Sequence, residues 1–142
     1  IAGQPTVVLD GAHNGDSARR LAEALREQFP RRCIVLVFGT TRDKDIARMF
    51  AELLPLVDAL VLTRSRHPRA ETSLAELAAQ ARPYLRRGER NAPLVEASDI
   101  PEAFAQAQAL ADPGDLIVIT GSLFVVAAAR EHLGLAPDRD DH

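Results

Sequence analysis

Short apolar runs alternate with segments of helical periodicity from one end of the chain to the other. Thr6-Val-Val-Leu-Asp10 is an apolar run closed by a carboxylate and a glycine. Ala18, Leu21, Ala22, Leu25 and Phe29 then recur at the spacing of one helix face. Cys33-Ile-Val-Leu-Val-Phe38 is the next β run, ended by Gly39, and Ile46, Met49, Phe50 and Leu53 repeat the helical spacing before Pro55. Ala59-Leu-Val-Leu-Thr63 reads as a third strand. Ser73 and Glu76 have the spacing of a capping box ahead of Leu74, Leu77, Ala78 and Ala81. Pro93-Leu-Val-Glu96 is a weaker fourth strand. Asp99 is placed to cap a helix presenting Ala103, Phe104, Ala107, Leu110 and Ala111. Asp115-Leu-Ile-Val-Ile-Thr120 is the fifth strand, and Gly121-Ser122 opens a last helix to about Leu133.

The strands are continuous apolar runs rather than alternating ones, which is the pattern of strands buried on both faces. Their alternation with helices predicts a mostly parallel sheet with right-handed crossovers. The expected fold is a three-layer Rossmann-like α/β domain, with about five or six strands and helices on both faces. Residues 1–136 form this single domain, and 137–142 are expected to be a disordered polar tail. Ligands in such sheets bind beyond the carboxyl ends of the strands, where helix N-termini also point. That edge comprises the loops 10–16, 39–45, 64–72, 96–99 and 120–122.

Composition narrows the setting. The 142 residues carry a net charge of -3 with basic residues scattered among acidic ones, which gives no basic field for nucleic acid. No apolar run approaches the roughly 20 residues of a membrane span, and no signal-peptide pattern opens the chain, so a soluble cytoplasmic protein is expected. The single cysteine, Cys33, cannot form an internal disulfide and is expected to be buried filler. The chain begins at Ile1 and has one methionine, Met49, so it reads as a piece of something larger. Lys44 is the one lysine among 17 basic residues.

Four of the edge loops carry candidate chemistry. In the first, Asp10 at a strand end is suited to accept hydrogen bonds from a ribose diol, His13 to donate to a phosphate oxygen, and Asn14 to cap the helix or bind ligand. Equally, Asp10 and Asn14 could do no more than satisfy loop amides, with His13 solvated. Lys44 at a helix start opposes the helix dipole and gains little there structurally. It is either a ligand for a carboxylate or phosphate, or a solvated lysine between Asp43 and Asp45, which read as loop and N-cap residues. In the loop Thr63-Arg-Ser-Arg-His-Pro-Arg-Ala70, Arg69 is a candidate anion contact and Arg64 and Arg66 are better read as solvated. Ser122 at a helix start is an N-cap, an anion ligand, or both. No serine elbow, zinc-type ligand spacing, G-x-G-x-x-G or G-x-x-x-x-G-K-[ST] loop occurs, so the chain holds neither a nicotinamide cofactor nor ATP through those motifs.

Taken in order, Leu9-Asp-Gly-Ala-His-Asn14, Val37-Phe-Gly39 with Asp43-Lys-Asp45, Leu62-Thr63 with Pro68-Arg-Ala70, and Thr120-Gly-Ser-Leu-Phe124 resemble the C-terminal domain of folylpolyglutamate synthases in the Mur ligase superfamily. The resemblance covers essentially the whole chain. It departs at Gly15, where that family usually has proline. It implies an ATP-dependent ligase that adds L-glutamate to folate through an acyl phosphate, with dihydrofolate synthase activity as a further possibility of the family. The P-loop and Mg²⁺ ligands would lie on an N-terminal or central ATPase domain of the same polypeptide, and the isolated domain would be inactive. By resemblance Asp10, His13 and Asn14 lie on the nucleotide side, and Lys44, Ser122 and His13 hold the incoming glutamate. No catalytic residue and no metal ligand falls to this domain. Two alternatives stay open: the same domain of another Mur-type amino-acid ligase, and a non-catalytic nucleotide- or anion-binding module.

Overall fold

The computed structural model describes residues 5–30, 32–40, 45–64, 73–87 and 90–134. Lys44, Arg69, Asp43, His67 and the tail 137–142 lie outside them. The chain runs β1 (Thr6–Leu9), α1 (Gly15–Gln28), β2 (Ile34–Phe38), α2 (Ile46–Leu53), a 3-10 turn (Leu54–Leu56) and β3 (Ala59–Leu62). It continues with α3 (Leu74–Leu85), β4 (Arg86–Arg87), β5 (Arg90–Asn91), β6 (Leu94–Glu96), α4 (Ile100–Leu110), β7 (Leu116–Thr120) and α5 (Leu123–His132).

Five strands form one parallel sheet in the order β1-β7-β2-β3-β6. Alternate residues of β2 show why its run is apolar throughout. Ile34, Leu36 and Phe38 point into the core under α1, α2 and α3, whereas Val35 and Val37 face the core under α4 and α5. β2, β3 and β7 are buried along their length, but the edge strands β1 and β6 are only partly so. The expectation that every strand is buried on both faces therefore fails at the edges. The antiparallel pair β4–β5 lies outside the sheet and was not expected from the polar stretch that forms it.

Cys33 corrects the sequence reading. It precedes β2 and is exposed, because the strand begins at Ile34, whose amide donates to Asp58 Oδ2 at 2.9 Å. The Cys33 carbonyl is still used, accepting from Leu116 N at 2.9 Å.

β7 is last in sequence but sits between β1 and β2. After β1 the chain turns to the face of α1; after β7 it turns to the opposite face, that of α5. Loops that leave adjacent strands for opposite faces open a crevice between them, the usual ligand position in open α/β sheets. The loops after β1 and β7, which hold Asp10–Asn14 and Thr120–Ser122, are the two at this point.

Candidate functional site

The ladder continues past the strand ends and fixes the loops. Asp10 N donates to Ile119 O at 3.1 Å, Gly39 N to Thr120 O at 3.2 Å and Thr63 N to Phe38 O at 2.9 Å. A further bond joins the two loops directly, from Gly121 N to Ala12 O at 3.2 Å. Asp10 and Ser122, 112 positions apart in sequence, are thereby brought to one edge.

Within the first loop, Asp10 Oδ1 accepts the amide of Ala12 at 2.9 Å. One carboxylate oxygen is thus engaged by the loop, and the other makes no hydrogen bond among the described residues. Asn14 is the N-cap of α1. Its Oδ1 accepts from Ser17 N at 2.8 Å, and Ser17 Oγ accepts in return from Asn14 N at 3.1 Å and His13 N at 3.0 Å. Ser17, which sequence reasoning passed over, is thus the clamp on the loop; the signal was its place three residues after a capping asparagine. Asn14 keeps its side-chain NH₂ as the group with which it could meet a ligand.

His13 is exposed, with Nδ1 3.0 Å from the Gly11 carbonyl. A carbonyl oxygen only accepts, so Nδ1 carries the hydrogen and Nε2 points away as an acceptor in the neutral ring. Donation from Nε2 to an anion therefore requires the imidazolium. Asp16, in the first turn of α1, is already engaged. The hydrogen bond from Arg19 and the charge of Arg20 hold its carboxyl below the usual aspartate value.

Ser122 is buried, and its Oγ accepts from Val125 N at 3.1 Å as the N-cap of α5. The cap uses the hydroxyl oxygen as an acceptor only, which is compatible with the anion-ligand role expected of this residue. Asp45 caps α2, accepting from Arg48 N at 3.3 Å, as expected. Behind these loops Thr40, Thr63 and Thr120 are buried at the ends of β2, β3 and β7, with hydroxyls that find no hydrogen-bond partner among the described residues. Beside Ser122, Leu123 and Phe124 are the exposed large apolar side chains among the described residues.

Residues 1–123 match the family model described as Mur ligase, glutamate ligase domain. The chain belongs to that family. This ligase domain is 37% identical over 142 residues to the dihydrofolate synthase/folylpolyglutamate synthase of Mycobacterium tuberculosis, which covers 94% of the chain and 29% of that protein. It superposes on the M. tuberculosis folylpolyglutamate synthase complexed with ADP and AMPPCP with a TM-score of 0.80 at 34% identity, over 94% of the chain and 31% of that structure. A bifunctional folylpolyglutamate synthase/dihydrofolate synthase with Mn, AMPPNP and L-glutamate bound gives a TM-score of 0.77 at 31% identity, over 95% of the chain and 30% of that structure. The domain thus spans under a third of the length of each of these three relatives. Among its described residues no group of three or more His, Cys, Asp or Glu could hold a metal ion. No helix among them is long and apolar enough to cross a membrane.

Proposed function

We propose that this chain is the C-terminal domain of a cytoplasmic ATP-dependent ligase that joins L-glutamate to a folate, and that it positions the glutamate and closes over the nucleotide. The observation that carries this reading is the junction of the Asp10–Asn14 loop with the Ser122 helix start at the switch point of the sheet, through Gly121 N and Ala12 O. The ligands named for its relatives, ADP, AMPPNP and L-glutamate, support the same assignment.

The residues present fit a nucleoside better than a metal. The open Asp10 oxygen at a strand end suits a ribose diol, and His13 Nε2, once protonated, suits a phosphate oxygen. No step through Mg²⁺ is assigned to this chain. ATP would supply the phosphoryl group that activates the folate γ-carboxyl, and the chain's own residues would then orient the attacking amine. Ser122 donates to a glutamate carboxylate, Lys44 provides the opposing cation, and Arg69 is a candidate second contact. Holding the two reactants in line converts an encounter between them into a local step, a contribution that needs no general base. Closure against the ATPase domain excludes the water that would hydrolyse an acyl phosphate.

The test is ATP-dependent incorporation of labelled L-glutamate by the full-length ligase, with tetrahydrofolate set against UDP-linked cell-wall precursors as acceptors. Incorporation into tetrahydrofolate is expected, and incorporation into the precursor alone would replace folate with the other Mur-type substrate. The 142-residue chain by itself should ligate nothing, and turnover by it would overturn the shared-site reading.

A further inference from the structure

A second concavity lies on the opposite face of the sheet from α1 and α2. Arg64, just past the end of β3, Asp99 and Ile100 at the start of α4, and Ala128, Glu131 and His132 of α5 line a pocket of about 280 Å³. Ile100 is buried in the core under α4 and α5, and Ala128 packs against that core, so the floor is apolar and fixed. The His132 ring is set by an edge contact with Phe104, 5.8 Å between centroids. This pocket is separate from the junction of Asp10 and Ser122. Ser122 caps the N-terminus of α5, whereas Glu131 and His132 lie in its last turn, about 15 Å away at the rise of an α-helix.

The charges around the pocket are opposite in sign and do not neutralise one another. Among the described residues Arg64 and Glu131 take part in no ion pair or hydrogen bond, with each other or with Asp99. Asp99 Oδ1 accepts the amide of Glu102 at 3.0 Å as the cap of α4, and its second oxygen has no hydrogen-bond partner there. A guanidinium and two carboxylates that share an apolar-floored cavity without meeting are complementary to a ligand that carries both charges. Single ion pairs at a solvated rim contribute little. Recognition here therefore depends on one small ligand making several at once, and an α-amino acid holds its two charges on a single carbon.

We propose that this pocket binds a monocarboxylic α-amino acid, at a site distinct from that of the glutamate to be ligated. Arg64 takes the carboxylate. Glu131 and the second oxygen of Asp99 take the ammonium, which the carbonyl end of α5 also favours. The aliphatic part of the ligand covers Ile100 and Ala128. Two protein carboxylates against one guanidinium disfavour a second carboxylate on the ligand, which sets the pocket against glutamate itself. Its volume falls just below the range of about 300–1,000 Å³ for drug-sized ligands, which suits a single amino acid better than a nucleotide. All of these residues belong to this chain, so the site does not depend on the ligase reading.

Titration of the isotope-labelled 142-residue chain with L-leucine, followed by two-dimensional NMR, tests this. Saturable shifts of the Ile100, Ala128 and His132 signals are expected. Leucinamide, which lacks the carboxylate, and 4-methylpentanoate, which lacks the ammonium, should each bind about fivefold more weakly, the upper range for one exposed ion pair. Arg64→Ala should weaken leucine binding about fivefold and Glu131→Gln about threefold on the same scale. Asp99→Ser keeps a capping oxygen at the start of α4, so weaker binding in that variant reports the lost carboxylate and not a frayed helix. Excess L-glutamate should not displace leucine, and Ser122→Ala should bind leucine as the parent does.

No saturable shift at the three reporter residues, leucinamide or 4-methylpentanoate binding as well as leucine, or full affinity in Arg64→Ala would each overturn the site. Displacement by glutamate, or loss of leucine binding in Ser122→Ala, would overturn its separateness from the glutamate position and with it the proposal. Should the chain not hold its fold in isolation, calorimetric titration of the intact ligase and its Arg64→Ala variant with the same three ligands decides. Neither experiment reads glutamate incorporation, so a failure here and a failure of the ligase reading are distinct.

Discussion

Gly121 gives the sharpest test of how the site is built. Its φ is 118°, in the region that L side chains rarely adopt, and a Cβ there would overlap the carbonyl oxygen of Gly39 well inside van der Waals contact. In Gly121→Ala the backbone strain alone costs about 1–3 kcal/mol. The obstacle is backbone, not a flexible side chain, so the ends of β2 and β7 must move apart. That endangers the bonds Gly39 N to Thr120 O and Gly121 N to Ala12 O, both 3.2 Å, each contributing about 1 kcal/mol. Together these give a loss of roughly 3–5 kcal/mol, against a total stability of about 5–15 kcal/mol for a domain.

Two other glycines supply internal controls. Gly134 also has a positive φ, 74°, but a Cβ there meets nothing within 4 Å, so only the strain remains, about 1 kcal/mol. Gly114 has open space and no such φ, and its alanine variant should lie within about 0.5 kcal/mol of the parent. Urea unfolding of the three alanine variants, followed by far-ultraviolet circular dichroism, should rank them Gly121 far below Gly134, and Gly134 just below Gly114. A Gly121→Ala loss no larger than that of Gly134→Ala would show that the strand ends yield freely, and the close approach of the two loops would lose its structural role.

Ser17→Ala removes the acceptor shared by His13 N and Asn14 N and should lower stability by about 1 kcal/mol in thermal unfolding; a neutral result would mean that water replaces the clamp. In the intact ligase, Asp10→Ala and His13→Ala should each raise the ATP KM about tenfold, the scale of one lost polar contact, and normal ATP kinetics in both would remove them from the nucleotide side. Lys44→Ala should raise the glutamate KM well above any change in the ATP KM, and steady-state titration of each substrate separates the two. The pKa of Glu102 is lowered from 4.5 by hydrogen bonds from the Ser98 amide, chiefly, and the Ser98 hydroxyl. A depressed carboxyl stabilises the fold above its unfolded value and loses that contribution as pH falls through the folded value. Glu102→Gln should therefore flatten the decline of the melting temperature below pH 4.5, and an unchanged acid slope would refute the assignment.

Much of this architecture is legible locally because burial on both faces leaves a continuous apolar run and a helix leaves its 3.6-residue spacing. β2, α2, β3, α4 and β7 follow from those patterns. Strand order does not. Nothing in Leu116–Thr120 says that it inserts between β1 and β2, so the adjacency of Ser122 to Asp10 is a property of pairing that spans the whole chain. The same limit explains Cys33: an apolar run cannot show which residue starts the ladder, and the run begins one residue later, at Ile34. The antiparallel pair β4–β5 escapes notice because the sequence of the stretch, Arg86-Arg-Gly-Glu-Arg-Asn91, has no apolar alternation.

The polar residues of the site were legible as types, while their competence depends on backbone features that were not. Asp10 commits one carboxylate oxygen to the loop because Ala12 N reaches back to it, and the Gly11 carbonyl engages His13 at Nδ1 and not at Nε2. The start of the Ser122 helix meets the first loop, through Gly121 N and Ala12 O, where Gly121 has a conformation and a closeness to Gly39 that other residues would strain. Charge alone would suggest that substitutions at Lys44 or Arg69 matter most. Gly121 is nevertheless the position least open to replacement, because any side chain there meets the Gly39 backbone. Second-site changes that rescue Gly121→Ala should accordingly be rare, since its neighbour is main chain and not a side chain that could be trimmed.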